Sequence, residues 1–160
     1  MKIVILDRDG VINQDSPDYI KSVAEWHPIP GSLEAIAKLC QAGFRVFVAS
    51  NQSGLGQGLF NYDDFCAMND RMQKLLAELG GRIDGIAFAP DHPDTPTPNR
   101  KPAPGMAKAW CAELDVDPAR CGWVSSTPSA RTCCRAGWRP RATAPSRPNC
   151  GGCGRRTPGC

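Results

Sequence analysis

The chain opens on a short apolar run, Lys2-Ile3-Val4-Ile5-Leu6, which delivers the residues Asp7-Arg8-Asp9-Gly10. A short run rich in Val and Ile, stopped by turn-forming residues, reads as a buried strand. In an open α/β sheet, ligands bind beyond the carboxyl ends of the strands. Two carboxylates one residue apart at that edge can divide the labour of phosphoryl transfer. Asp7 can attack phosphorus and carry the phosphoryl group as an acyl phosphate. Asp9 can protonate the leaving oxygen, then take a proton from the water that hydrolyses the intermediate. Asp-Gly is also a common turn dipeptide, so the same residues fit a strand that ends in a plain polar turn.

The next hundred residues alternate strand and helix patterns. Gly31 to Ala42 sets Leu33, Ile36, Leu39 and Cys40 on one face, with Ser32 as candidate N-cap and Gly43 as the stop. Arg45 to Ala49 reads as a second strand. Asn61 is placed to cap a longer helix, with Asp63 and Asp64 in its first turn, where acids favour the helix dipole. Its apolar stripe is Phe65, Met68, Met72, Leu75, Leu76 and Leu79, and Gly80-Gly81 ends it. Ile83 to Ala89 predicts a third strand, Pro104 to Leu114 a helix with Met106 and Trp110 inward, and Cys121 to Val124 the start of a fourth strand. Strands alternating with helices imply a parallel, doubly wound α/β sheet with right-handed crossovers. No segment is long enough for a separate cap domain. The stretches 14–30 and 90–100 are therefore expected to shape an open pocket.

Two further segments add to this reading, the first of them at the same sheet edge. The second strand delivers Ser50-Asn51-Gln52-Ser53-Gly54, a hydroxyl and backbone N–H groups that can hold phosphate oxygens. Asn99-Arg100-Lys101-Pro102 puts two cations in the loop before the last helix, and a lysine there can neutralise a transferring phosphoryl group. Alone, the first is equally an ordinary polar turn and the second a solvated basic pair. Their order along the chain is far more specific than either piece.

Together, the words Leu6-Asp7-Arg8-Asp9-Gly10-Val11-Ile12-Asn13, Ser50-Asn51-Gln52-Ser53-Gly54 and Arg100-Lys101-Pro102-Ala103-Pro104-Gly105-Met106 resemble the haloacid-dehalogenase-type phosphatases. The nearest branches are the D-glycero-D-manno-heptose 1,7-bisphosphate 7-phosphatases and the histidinol-phosphate phosphatases. The resemblance covers residues 1 to about 124. It implies Asp7 as nucleophile, Asp9 as general acid and base, and Ser50 and Lys101 as stabilisers of the phosphoryl group. It implies Mg²⁺ on the Asp7 carboxylate and the Asp9 backbone carbonyl; Mg²⁺ takes hard oxygen ligands. Asp15, Ser16, Pro17, Asp18, Asn51, Gln52, Ser53 and Arg100 would contact the sugar or its second phosphate. The implied reaction is hydrolysis of the 7-phosphate of a heptose bisphosphate, feeding lipopolysaccharide-core or related heptose synthesis. Histidinol phosphate is the alternative substrate. A truncated paralogue that binds a phosphorylated sugar without turnover is the alternative of a different class.

The chain departs from that pattern twice. Many heptose-bisphosphate phosphatases carry three cysteines and a histidine as a zinc loop before the Arg-Lys-Pro word. Here Ala89 to Asn99 holds no cysteine and one histidine, so no zinc is expected. The resemblance also implies a Gly-Asp and a second acid after the fourth strand, completing the Mg²⁺ site. Those positions read Ser125-Ser126, and no Asp or Glu occurs from Ser125 to Cys160. That segment also has no Leu, Ile, Val, Phe, Tyr, Met, Lys, Gln or His. Its residues have mostly GC-rich codons, and it reads as out-of-frame translation, the alternative being a genuine, unusual basic tail. The expectation is an incomplete phosphatase domain over 1–124 with its C-terminal strands missing, and a disordered tail over 125–160. Weak Mg²⁺ binding and little activity follow. So do exposed apolar faces on the Ile3–Leu6 and Val46–Val48 strands.

Composition supports the division. All 16 Asp+Glu precede the tail, and the tail holds seven of the 19 Lys+Arg, so the body carries −4 and the tail +7. The basic balance belongs to the tail and is not read as nucleic-acid binding. Of nine cysteines, Cys40, Cys66, Cys111 and Cys121 lie in the body and read as small buried hydrophobes. Cys150-Gly151-Gly152-Cys153 has metal or redox spacing, but no second pair or histidine follows it. No signal-peptide pattern or membrane-length apolar run is visible. The expected protein is a cytoplasmic monomer whose partner is a small sugar phosphate, with no membrane and no nucleic acid.

Overall fold

The computed structural model describes residues 1–126. The tail from residue 127, with its expected disorder and frame change, lies outside them. Four parallel strands form one sheet: β1 (Lys2–Leu6), β2 (Phe44–Asn51), β3 (Gly85–Ala89) and β4 (Cys121–Val124), in the order β3-β2-β1-β4. The helices are α1 (Ser32–Gln41), α2 (Ser53–Gly56), α3 (Tyr62–Glu78) and α4 (Gly105–Glu113), and a 3₁₀ turn (Pro118–Arg120) leads into β4.

Strand alternation builds a core on each face of the sheet. Val4, Leu6, Val46 and Val48 point to one side, where α1 and α3 supply Leu33, Ile36, Phe65, Met68, Met72 and Leu76. Ile3, Ile5, Phe47 and Ala49 point to the other, covered by Met106 and Trp110 of α4. Helices on both faces make the fold doubly wound α/β, as the periodicity predicts. Each fully buried Val or Ile stabilises it by about 1.5–3 kcal/mol. The expected exposure of β1 and β2 is therefore corrected: Ile3 to Leu6 and Val46 to Val48 are all buried. Crossover helices formed within the described residues already cover both faces. Exposure falls instead on the last strand, where Val124 is exposed.

Local signals hold in part. Asn61 and Asp64 form a reciprocal capping box at the start of α3. Ser32 does not cap α1: it is the first helical residue, after a left-handed Gly31, and its hydroxyl donates to Ile12 O at 2.7 Å. That bond ties α1 to the loop after β1. Leu79 is exposed, because α3 ends at Glu78 and turns it off the stripe. Of the four described cysteines only Cys111 is buried; Cys40, Cys66 and Cys121 are partly exposed, on the flanks of their elements. The short α2 and the 3₁₀ turn carry too few residues to show a period.

Candidate active site

The sheet places the site by backbone alone. Asp7 N–H donates to Val124 O at 2.9 Å, extending the β1–β4 ladder by one residue. Gln52 N–H donates to Ala89 O at 2.7 Å, doing the same for β2 and β3. After Asp9 the chain reverses over Arg8, whose carbonyl accepts from Ile12 N at 2.8 Å and from Asn13 N at 3.2 Å. The turn needs Gly10, which has φ +75°. A Cβ there would also stand 2.8 Å from Ser126 Oγ. Only glycine meets both demands.

Asp7 is buried with both carboxylate oxygens held. Oδ1 accepts from Arg8 N at 2.9 Å and forms an ion pair with Lys101 Nζ. Oδ2 accepts from Ser125 Oγ at 3.0 Å. Lys101 is itself buried and is set by reciprocal bonds: Lys101 N donates to Asn51 Oδ1 at 2.9 Å, and Asn51 Nδ2 donates to Lys101 O at 3.1 Å. Asn51, expected to touch substrate, thus holds the loop that carries the lysine.

Asp9 accepts from four donors. Arg8 Nε reaches Oδ1 at 3.1 Å, Arg8 Nη2 reaches Oδ2 at 3.3 Å, Asn13 Nδ2 reaches Oδ1 at 2.9 Å, and Gln52 Nε2 reaches Oδ2 at 2.8 Å. Gln52 is the hub of this set. Its Nε2 also donates to Ser50 Oγ at 2.8 Å, and its Oε1 accepts from Arg8 Nη2 at 2.9 Å. Gln52 and Ser50 are both buried, so this glutamine links Asp9, Arg8 and Ser50. Arg8 and Asn13 lay inside the quoted motif without being assigned a role. A charged residue next to the acids was the available signal, and burial could not be read from it.

Both acids face a cavity of about 360 Å³ lined by Asp7, Asp9, Asp15, Ser16, Tyr19, Ile20, Asn51, Gln52, Ser53, Arg100, Lys101 and Ser126, whereas Ser50, Arg8 and Asn13 are buried behind that lining. The structure thus brings together most of the expected residues. Pro17 and Asp18 are exposed and outside the lining; Asp18 N donates to Ser16 Oγ at 3.2 Å, which folds that loop on itself. Tyr19 takes their place at the wall, with φ +65° and its hydroxyl accepting from Gln57 Nε2 at 3.0 Å. Arg100 Nη1 donates to Ser53 Oγ at 2.6 Å and to Asp91 O at 2.8 Å, pinning the 90–100 loop at the rim.

A model for a family described as polynucleotide kinase 3 phosphatase matches residues 2–123. The chain belongs to the haloacid-dehalogenase-type phosphatases. It is 50% identical over 117 residues to the D-glycero-β-D-manno-heptose-1,7-bisphosphate 7-phosphatase of Bordetella bronchiseptica, covering 73% of this chain and 65% of that one. It is 52% identical over 115 residues to the enzyme of the same name from Pseudomonas aeruginosa, covering 72% and 65%. The chain thus spans just under two thirds of these curated relatives. Its fold matches the crystal structure of the B. bronchiseptica D,D-heptose 1,7-bisphosphate phosphatase complexed with magnesium and phosphate. There the TM-score is 0.83 at 45% identity, covering 86% of this chain and 78% of the other. The Burkholderia thailandensis phosphatase of that name aligns with a TM-score of 0.63 at 41% identity, covering 87% and 76%.

The donor set around Asp7 is made of hard oxygens: its carboxylate, the Asp9 carbonyl and two serine hydroxyls. That chemistry fits Mg²⁺, which commonly takes one or two carboxylates and completes its shell with waters and phosphate oxygens. Ser126 Oγ donates to Asp9 O at 3.4 Å, so Ser125 and Ser126 bond the very atoms that would hold the ion. Among the described residues, no cluster of three or more His, Cys, Asp or Glu side chains could hold a metal. No helix among them is long and apolar enough to cross a membrane.

Proposed function

We propose that the chain carries the site of a Mg²⁺-dependent phosphomonoester hydrolase for the 7-phosphate of D-glycero-D-manno-heptose 1,7-bisphosphate. The observation that carries this reading is the buried Asp7, ion-paired to Lys101 at the floor of a cavity whose rim holds Arg100. Names and structures of relatives about half identical support the substrate. An Asp7 oxygen attacks phosphorus, forming an acyl phosphate and breaking the bond to the sugar oxygen. Asp9 gives that oxygen its proton. Asp9 then takes a proton from water, which attacks phosphorus, frees phosphate and restores the Asp7 carboxylate. Lys101 and the Ser50 hydroxyl balance charge on the phosphoryl oxygens. The Asp7 carboxylate and the Asp9 carbonyl would hold Mg²⁺, which would supply further charge neutralisation. Because both Asp9 oxygens already accept from protein donors, proton transfer requires its side chain to leave at least one of them. The test is phosphate release from heptose 1,7-bisphosphate and from histidinol phosphate, with and without Mg²⁺. Release from histidinol phosphate alone overturns the substrate, and release that persists in Asp7→Asn overturns the mechanism.

A second reading rests on Ser125 and Ser126: a chain that binds the phosphorylated sugar without turning it over. Calorimetric binding of the bisphosphate without phosphate release would establish it. For residues 125–160 we propose out-of-frame translation of a GC-rich gene. A nucleotide sequence with no alternative frame encoding Gly-Asp across codons 122–140 would refute this.

A further inference from the structure

At the amino end of the strands, away from Asp7, Cys121 opens β4 opposite Ile3. Cys111 lies in the last turn of α4, and its sulfur stands 3.6 Å from that of Cys121. The connection between them is fixed by backbone. Val116 N–H donates to Cys111 O at 3.0 Å, Asp115 takes φ +49°, and Asp117 Oδ1 caps the 3₁₀ turn through Ala119 N at 2.8 Å. The backbones that carry the two sulfurs are therefore fixed close together by the fold. Cys111 is buried, whereas Cys121 is partly exposed. A cleft of about 220 Å³, bounded by Met1, Ile3, Leu114, Val116 and Arg120, opens against Cys121. The other two described thiols lie elsewhere: Cys40 Sγ donates to Arg82 O at 3.3 Å, and Cys66 sits in α3.

We propose that Cys111 and Cys121 form a dithiol that small disulfides of the glutathione class oxidise to an intramolecular disulfide. The exposed partner reacts first. The Cys121 thiolate attacks one sulfur of the small disulfide, forming a mixed disulfide and expelling one small thiolate. The Cys111 thiolate then attacks the Cys121 sulfur, forming the protein disulfide and expelling the second. Two electrons pass to the small disulfide, and the two cysteine protons leave on the two small thiols. The bond is about 2.0 Å long, so the sulfurs need approach by only about 1.5 Å. The link joins α4, which follows Lys101, to β4, which leads to Ser125. It covalently ties together two segments that converge on Asp7. The inference does not depend on which phosphate ester the site takes.

Peptide mapping tests it on the full chain. Trypsin cuts after Lys108, Arg120 and Arg131, which separates Cys111 in peptide 109–120 from Cys121 in peptide 121–131. After equilibration with oxidised glutathione, alkylation and digestion, these two peptides should appear as one cross-linked species. It should vanish on treatment with dithiothreitol, and Cys40 and Cys66 should be alkylated. The oxidised chain should melt roughly 5–10 °C above the reduced one, because the closed loop is short but real. Cys111→Ser should remove both the linked species and the shift. Should that variant fail to fold, the wild-type map alone decides. Recovery of Cys121 only as a small-thiol adduct, as an alkylated thiol, or joined to the Cys133-Cys134 peptide would overturn the proposal.

Discussion

Replacing Asp9 by alanine should damage the fold as well as the chemistry, because Asp9 is the counter-charge of a buried arginine. Arg8 is 1% exposed, while the Asp9 side chain is 20% exposed. The pair is held at two points, Nε to Oδ1 at 3.1 Å and Nη2 to Oδ2 at 3.3 Å. Without Asp9 the guanidinium keeps one neutral acceptor, Gln52 Oε1 at 2.9 Å, and the face of Phe65 at 5.6 Å. Its Nη1 already has no hydrogen-bond partner among the described residues. Stranding one member of a buried pair costs about 3–5 kcal/mol. Solvent reaching the vacated space through the exposed fifth of Asp9 argues for the lower end, about 3 kcal/mol. In a domain of this size that lowers the melting temperature by roughly 10 °C. Asp9→Asn keeps an acceptor oxygen and should cost about half as much. The assay is urea unfolding followed by far-UV circular dichroism, on Asp9→Ala, Arg8→Met and the double variant. The double variant should lose at least about 1.5 kcal/mol less than the sum of the singles, because removing both charges leaves neither stranded. An Asp9→Ala chain within about 1 kcal/mol of the parent, or strict additivity, would refute the assignment of Arg8 and Asp9 as one unit.

Asp7→Asn should leave less than about a tenth of any phosphate release, since covalent and electrostatic contributions are each worth orders of magnitude; it should also unfold at lower urea, because Lys101 loses its buried ion-pair partner. Gly10→Ala should cost about 1–3 kcal/mol in the same unfolding assay, from the left-handed φ and the crowded Ser126 hydroxyl. Asn51→Ala should slow phosphate release roughly tenfold or more with little loss of stability, because it frees the loop that aims Lys101; an unchanged rate would show that the lysine is positioned by other contacts. Ser126→Asp alone should not raise turnover, read as Mg²⁺-dependent phosphate release, because an added carboxylate beside Gly10 supplies a ligand without elements that would fix it.

The layout of the fold was legible because it rests on strong local patterns. Val4 and Leu6 against Ile3 and Ile5 form a period-two signal, and Phe65, Met68, Met72 and Leu76 a helical one. Asn61 with Asp64 is a capping signature that fixes the start of α3. Ser32 misled because a serine before an apolar stripe fits a cap, whereas its hydroxyl is taken by Ile12 O, twenty residues back along the chain. Within the site, Asp7 and Ser50 fall on one edge because strand ends share an edge, while Lys101 comes from the loop before α4. The sequence could not show which cavity-lining residues also hold their neighbours in place. Gln52 and Asn51 line the cavity, and their amides in addition bond Asp9, Ser50 and Lys101. Such long-range side-chain bonds leave no periodic trace.

The charges around Asp7 and Asp9 show why the proposed reaction needs a metal. Asp7 is paired with Lys101 and Asp9 with Arg8, so these four groups sum to zero. A phosphomonoester brings about −1.5 to −2 charges at neutral pH. Entering this site, it meets Lys101 already engaged with Asp7, and Arg8 shielded behind Asp9. A divalent cation on the Asp7 carboxylate would raise the local sum to +2, matching the incoming dianion and freeing Lys101 to turn to the phosphoryl oxygens. Ser125 and Ser126 add hydroxyl oxygens but no charge, so the ion would rest on a single carboxylate at this point. Ion affinity should therefore be weak at this site, although the cavity beside it is formed. Raising Mg²⁺ should accordingly tighten binding of the bisphosphate. Binding that is indifferent to Mg²⁺ would mean that Arg100 and the rim, not the inner site, supply the attraction.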